Sequence, residues 1–301
     1  MSFLKELNEK FPSRKKEKQK KEFRDYVLNF ASENNIPANV ETLQGKHNNV
    51  ILGNIDEAKV VFCAHYDTPA TAIIPNVMFP KDSILKFLIV FGVPLLMALI
   101  ALGIAYFLAG LITEVDLFGP LYLVIYFAIY WLAFLCFENK HNANDNTSGV
   151  ATVLSLIKNT NKKNEIAVVL FDNEEKGLLG SKAFSKAHDL KNKLVINCDC
   201  VANGDQVLFL PNKKTQTHEH FELLKDSVAS NEEFCVEFLP SKGLGLSSDH
   251  KSFENGVCVT ACHKKGSLYV CGRIHTPRDT VANQTNVDFL VEQLSNFIEK
   301  I

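Results

Sequence analysis

Ile166-Ala-Val-Val-Leu-Phe-Asp-Asn-Glu-Glu175 is an apolar run that ends abruptly in acids. An unbroken apolar run of this length reads as a strand buried on both faces. Its acids then fall at the strand's carboxyl end. The pattern recurs. Residues 60–64 (VVFCA) lead into His65-Tyr-Asp67, and residues 194–197 (LVIN) lead through Cys198 to Asp199. Helix-like stretches separate such runs, at 16–34, 149–158, 181–188, 218–230 and 287–301. Asn146, Thr147 and Ser148 are good capping types at the start of the second of these. Further strands are expected at 50–52, 207–210, 257–261 and 267–270. Strands alternating with helices argue for an α/β fold, a three-layer helix-sheet-helix arrangement with a mostly parallel mixed sheet. In such folds ligands bind at the carboxyl ends of the strands.

One region breaks the alternation. Residues 87–112 and 117–137 are two uncharged apolar runs joined by a short link containing Thr113, Glu114 and Asp116. Each run reaches the length of about 20 residues that a membrane span needs. Neither shows the polar stripe of a helix buried in a soluble core. Residues 81–137 therefore read as an inserted transmembrane helical hairpin, in contact with membrane lipid. The remaining segments, 1–80 and 138–301, are expected to form one domain. Lys81, Lys86 and Lys140 flank the outer ends of the pair, whereas the link carries acids only. The positive-inside rule then places the rest of the chain in the cytoplasm.

The formal net charge is -2, which offers no electrostatic reason to expect nucleic-acid binding. The basic run from Arg14 to Lys21 reads as a solvated helix face or as a contact with anionic headgroups. The chain has eight cysteines. Several lie in apolar strand-like runs, so reduced thiols packed as small hydrophobes are expected. Oligomeric state is not legible.

Acids and imidazoles recur at strand ends that share one rim. Like charges gathered there need a counter-charge, which metal cations supply. Zinc accepts imidazole nitrogen and carboxylate oxygen. His65, Asp145, Glu175, Asp199 and His275 are the candidate ligands, and Glu174 is left beside a ligand as a candidate base.

Six stretches, AHYDTP, NANDNTSGV, FDNEEKGLLGS, NCDCVANGD, SSDHKSF and IHTPRDT, cover most of residues 59–301 outside the hairpin. Together they resemble the co-catalytic two-zinc aminopeptidase family. That family also contains bacterial leucyl aminopeptidases, glutamate carboxypeptidase, glutaminyl cyclase and the transferrin-receptor peptidase-like domain. The resemblance implies a zinc exopeptidase-like fold, two Zn2+ ions, peptide substrates and removal of N-terminal residues. It implies His65 and Asp199 on one zinc, Glu175 and His275 on the other, and Asp145 between them. Glu174 would be the general base. Asp67 would fix the tautomer of His65, and Asp279 that of His275.

The chain departs from the family where Ile274 precedes His275, a position at which many relatives carry a tyrosine. Tyr269 is a substitute donor by proximity in sequence. Alternatives are a glutaminyl-cyclase-like acyltransferase, a carboxypeptidase using Arg273 or Arg278, and an inactive membrane scaffold.

Overall fold

The computed structural model describes residues 2–71, 84–111, 118–134, 137–241, 244 and 246–301. Lys81 and the expected polar link with Thr113, Glu114 and Asp116 lie outside them.

A nine-stranded mixed sheet forms the centre. Its strands are β1 (Ala38–Leu43), β2 (His47–Leu52), β3 (Val60–His65), β4 (Ile166–Phe171), β5 (Leu194–Cys198), β6 (Gln206–Pro211), β7 (Cys235–Phe238), β8 (Gly256–Lys265) and β9 (Leu268–Val270). They lie in the order β1-β2-β4-β3-β5-β8-β6-β7, with β9 on β8. The central pairs β4/β3, β3/β5 and β5/β8 are parallel. The β1/β2, β2/β4 and β6/β8 pairs are antiparallel. The apolar runs read from sequence are thus the parallel centre.

Alternation explains why those runs are apolar throughout. Val60, Phe62 and Ala64 join one core cluster with Phe23, Val27, Leu154 and Leu290. Val61 and Cys63 join the opposite cluster with Phe184 and Leu190. Successive strand side chains point to opposite faces, and both faces here are covered by helices. α1 (Phe3–Lys10), α2 (Glu17–Glu33), α6 (Gly149–Asn159), α8 (Glu219–Lys225) and α9 (Gln284–Lys300) supply the first layer, and α7 (Leu179–Ala187) the second. The cysteines among the described residues are free, and all but Cys235 are buried.

α1, β1 and β7 have no counterpart in the sequence reading. β1 is an edge strand with no buried residue, so its hydrophobic period is weak. β7 has four residues, and α1 buries only Leu4 and Leu7.

The inserted region is helical. α3 (Ile84–Phe87) runs through a π-helical turn (Leu88–Gly92) into α4 (Val93–Leu111), and α5 (Phe118–Phe134) returns. α4 is long and apolar enough to cross a membrane, with mean hydropathy 2.2, while the apolar helix on the return leg is shorter. At 1.5 Å per residue α4 spans about 28 Å, close to a bilayer's hydrocarbon thickness. Met97, Ala101 and Ala105, four apart, are its buried side chains, and α4 packs on α5. Small residues at such a seam let helix backbones approach closely.

Candidate metal centre

His65 closes β3 and is buried. Its Nδ1 lies 3.0 Å from the main-chain carbonyl of Asp67. A proton on Nδ1, donated to that carbonyl, leaves the Nε2 lone pair free. Nε2 faces Asp145 Oδ1 at 3.3 Å and Asp199 Oδ1 at 3.8 Å. The Asp67 carboxylate was expected on His65 but lies 3.8 Å from Nδ1. It accepts instead the backbone N–H groups of Glu174 at 2.9 Å and Glu175 at 3.3 Å. Asp67 therefore holds His65 through its backbone and the Glu174–Glu175 turn through its side chain.

That turn follows β4. Asn173 adopts a left-handed conformation with φ 57°, and a short 3-10 helix, Glu174–Lys176, follows. Behind it Asp172 pairs with Lys20 Nζ at 2.6 Å, and Lys20 also donates to Asn173 at 2.8 Å. Both members of the ion pair are buried.

Asp145 sits in the tight turn Ala143–Ser148 between the hairpin and α6. Its neighbours lace that turn to the loop after β5. Asn144 Oδ1 accepts from Ala202 N at 2.8 Å, and Asn146 Nδ2 donates to the Cys198 carbonyl at 2.9 Å. Asn146 Oδ1 also accepts from Gly149 N at 3.0 Å. A side chain at Gly149 would collide with the Cys198 carbonyl, so only glycine fits there. Asp279 was expected behind His275. Its two oxygens instead accept the backbone N–H groups of Asn144 and Asp145, each at 3.0 Å.

Asp199 follows β5, and its Oδ2 accepts from Ser248 Oγ at 2.5 Å. Ser248 in turn accepts from Asn197 Nδ2 at 2.6 Å. The Ser248-Asp249-His250 stretch thus packs beneath the site and supports a candidate ligand. His275 is held at φ 60°, with Nε2 2.9 Å from Asp145 Oδ2 and 3.8 Å from Glu175 Oε1. A non-glycine residue in this region is strained, and such strain gathers at functional sites.

The six candidate residues form overlapping groups. His65, Asp145 and Asp199 make one, and Asp145, Glu175 and His275 another, each with ligand atoms within 4.8 Å of one another. Asp145 belongs to both. His65 also groups with Glu174 and Glu175.

The charge state of this cluster is that of a site made for a cation. Burial pushes the Glu175 carboxyl up to about 8, with the Asp145 charge adding to it against the pull of His275. Burial likewise drives Glu174 well above the carboxylate range, opposed by His65 and reinforced by Glu175. Burial would lower His275, yet Glu175 and Asp145 hold it up at about 10. Burial would raise Asp145, but the His275 charge and hydrogen bonds from both histidines keep it below its usual value. Acids that resist ionisation beside imidazoles that resist losing a proton mark uncompensated negative charge. Glu175 Oε1 is buried with no hydrogen-bond partner among the described residues. That orphaned oxygen, two imidazoles and the carboxylates fit zinc.

The cleft over the cluster has a volume of about 110 Å³. Leu246, Thr260, Cys200, Cys271 and Ile274 form its less polar wall. Among the described residues no lysine or arginine lines it. Arg273 and Arg278 are exposed around Pro277 on a separate depression. Tyr269 is not on the cleft either, because its hydroxyl donates to Glu237 at 2.9 Å.

Two supporting residues escaped the sequence reading. Arg14 is fully buried. It donates through Nε to the Tyr66 carbonyl at 2.5 Å and through a terminal nitrogen to Thr147 Oγ1 at 3.0 Å. It thereby clamps the loops bearing His65 and Asp145. Lys20 is the other. Both hide in a basic run that reads as solvated. The available signal was that Lys20 precedes Phe23 and Val27 by three and seven residues, on one helical face.

The sequence model of peptidase family M28 matches residues 133–297, more than half of the chain, and the chain belongs to that family. His65 and Asp67 lie before the matched stretch. No curated protein matches the chain. Solved structures share the fold. The glutaminyl cyclase of Porphyromonas gingivalis superposes with a TM-score of 0.63 at 14% identity, over 99% of this chain and 96% of that one. A leucine aminopeptidase precursor from Bacteroides thetaiotaomicron gives 0.59 at 14% identity, over 99% and 95%. A Zn-dependent exopeptidase from Parabacteroides distasonis gives 0.55 at 13% identity, over 95% and 90%. Family membership places the chain among peptidases.

Proposed function

We propose that the chain is an aminopeptidase that removes N-terminal residues from peptides with two Zn2+ ions. His65 and Asp199 would hold one ion, Glu175 and His275 the other, and Asp145 would lie between them. When bound, the ions would lower the pKa of an attacking water and polarise the scissile carbonyl. Glu174 accepts the proton from that water on its carboxylate and hands it to the departing amine. Asp67 keeps Glu174 and Glu175 in place through their backbone N–H groups. Asp279 does the same for Asp145.

The observation that carries the choice of end is the lining of the cleft. Among the described residues it holds no lysine or arginine, so it offers no cationic side chain to a substrate carboxylate and leaves the amino end to face the site. A carboxypeptidase needs a cation for the terminal carboxylate. Arg273 and Arg278 lie on another depression.

We place residues 81–137 in the bilayer as a hairpin, with the catalytic domain, 1–80 and 138–301, on the cytoplasmic side. The apolar length of α4 and the flanking lysines support this.

The test is turnover of a panel of aminoacyl amides by the detergent-purified chain loaded with zinc, beside Glu174→Gln. The native chain should cleave members of the panel. Glu174→Gln should keep its zinc and lose about 10²- to 10⁴-fold in rate. Zinc binding without cleavage of any member would reject the aminopeptidase and send the search to N-terminal cyclisation.

A further inference from the structure

The segments that flank the hairpin, at 70–71 and 137–138, lie side by side. Thr71 N donates to the Phe137 carbonyl at 2.8 Å, and Ala70 bridges Glu138. This root is short of slack. Ala70 follows His65 by five residues, and Glu138 precedes Asp145 by seven. Fully extended, those stretches reach at most about 17 and 24 Å.

The root is also fastened to the segment before and at the start of α2. Glu138 Oε1 accepts from Ser13 Oγ and from Gln19 Nε2, each at 2.6 Å. Glu138 Oε2 lies 2.8 Å from Lys16 Nζ. Arg14, between Ser13 and Lys15, clamps the loops of His65 and Asp145. One short segment, 13–19, therefore touches the hairpin root and the metal loops together. Lys15 lies in the fields of both Glu175 and Glu138, which oppose the lowering of its pKa by burial.

Three lysines stand around this root. Lys16 keeps 71% of its side chain exposed, Lys140 is exposed and Lys15 half-buried. Among the described residues neither Lys15 nor Lys140 forms an ion pair. The nearby acids are Glu138, engaged as above, Glu17, bonded to Arg24 at 2.6 Å, and Glu175 and Asp67 of the metal centre, whose charges act on Lys15. The patch adjoins the apolar segment along the chain, with Phe137 58% exposed beside Glu138 and three residues before Lys140.

We propose that Lys15, Lys16 and Lys140 form a basic collar that binds anionic phospholipid headgroups and seats the metal cleft at the bilayer surface. The proposal rests on the hairpin lying in the membrane. An apolar surface ending in lysines is the arrangement that places cations at headgroup level. The occupant is an anionic bilayer because the collar is continuous with the apolar face. A soluble anion would leave that face uncovered.

Trp131, the only tryptophan, is 53% exposed near the root end of α5 and reports on the lipid around it. The full chain is reconstituted in phosphatidylcholine containing a minority of phosphatidylglycerol, with brominated chains on one lipid or the other. Brominated phosphatidylglycerol should quench Trp131 about fivefold or more above its mole share. The excess should fall toward one in Lys15→Gln/Lys16→Gln/Lys140→Gln, folding being checked by circular dichroism. Raising the salt on the native chain should shrink the same excess, which serves if the variant fails to fold. Quenching of the native chain by both lipids in proportion to mole share overturns the collar and leaves the hairpin in place. Quenching by neither overturns the membrane hairpin and the collar with it.

Discussion

The α/β sheet with its covering helices and the apolar helices α4 and α5 are built from the same apolar residues with opposite exposure. In the domain, Val60, Phe62, Phe171 and Phe209 are fully buried. In the hairpin, Leu95, Leu99, Phe107 and Phe127 stand more than half exposed. Every large hydrophobic side chain that is exposed among the described residues lies between Ile84 and Phe137. The polar groups are inverted too. The domain buries Asp67, Asp145, Asp172, Asp199 and Asp279, whereas the described part of the hairpin from α4 to α5 contains no charged residue. A buried carboxylate is tolerated when a cation or backbone N–H groups answer it. An exposed leucine face is tolerated when lipid answers it. Each region therefore depends on a counterpart, the domain on the cations and N–H groups around its carboxylates and the hairpin, on the proposal above, on lipid.

The largest effect should come from breaking the first dependence. Asp145→Asn removes the carboxylate shared by both ligand groups. It should abolish turnover at least as fully as loss of the base and lower the zinc content, read by elemental analysis. Next is the ion pair behind the Glu174–Glu175 turn. Lys20→Met leaves the buried Asp172 charge with no cation and only the Asn48 N–H to answer it, and should cost about 3–5 kcal/mol of stability in denaturant unfolding. Lys20→Met/Asp172→Leu should recover much of that loss. An unchanged midpoint in the single variant would mean that the pair is not buried in solution. Ser248→Ala, which frees one oxygen of Asp199, should weaken zinc binding by about tenfold or more with the fold intact. The smallest catalytic effect should follow Leu99→Lys. A charge near the middle of α4 opposes membrane insertion by about 2.5–3.5 kcal/mol. The protein should shift out of the membrane fraction while aminoacyl-amide turnover in detergent stays within about twofold. A large loss of that turnover would show that the hairpin shapes the cleft itself.

The parallel centre of the sheet was legible because strands buried on both faces must be apolar at every position. The acids at their ends were legible because apolar runs make them conspicuous. Edge elements were not. β1 has no buried residue, and its polar positions hide the period. The residues brought together at the rim were legible as types, but their supports were not. Asp67 meets His65 through its backbone carbonyl, and backbone contacts leave no trace in side-chain identity. Asp279 serves Asp145 rather than the nearer His275, because the chain folds back over 134 residues to make that contact. Arg14 and Lys20 carry charge, which argues for solvent; Lys20 shares a helical face with Phe23 and Val27, whereas Arg14 precedes α2 and leaves no such signal.

The most direct test of the account is anomalous diffraction at the zinc edge from crystals of the detergent-purified chain. Two peaks flanking the Asp145 carboxylate, one beside His65 and Asp199 and one beside Glu175 and His275, are the predicted result. A single peak, or peaks away from Asp145, would contradict the two-zinc centre.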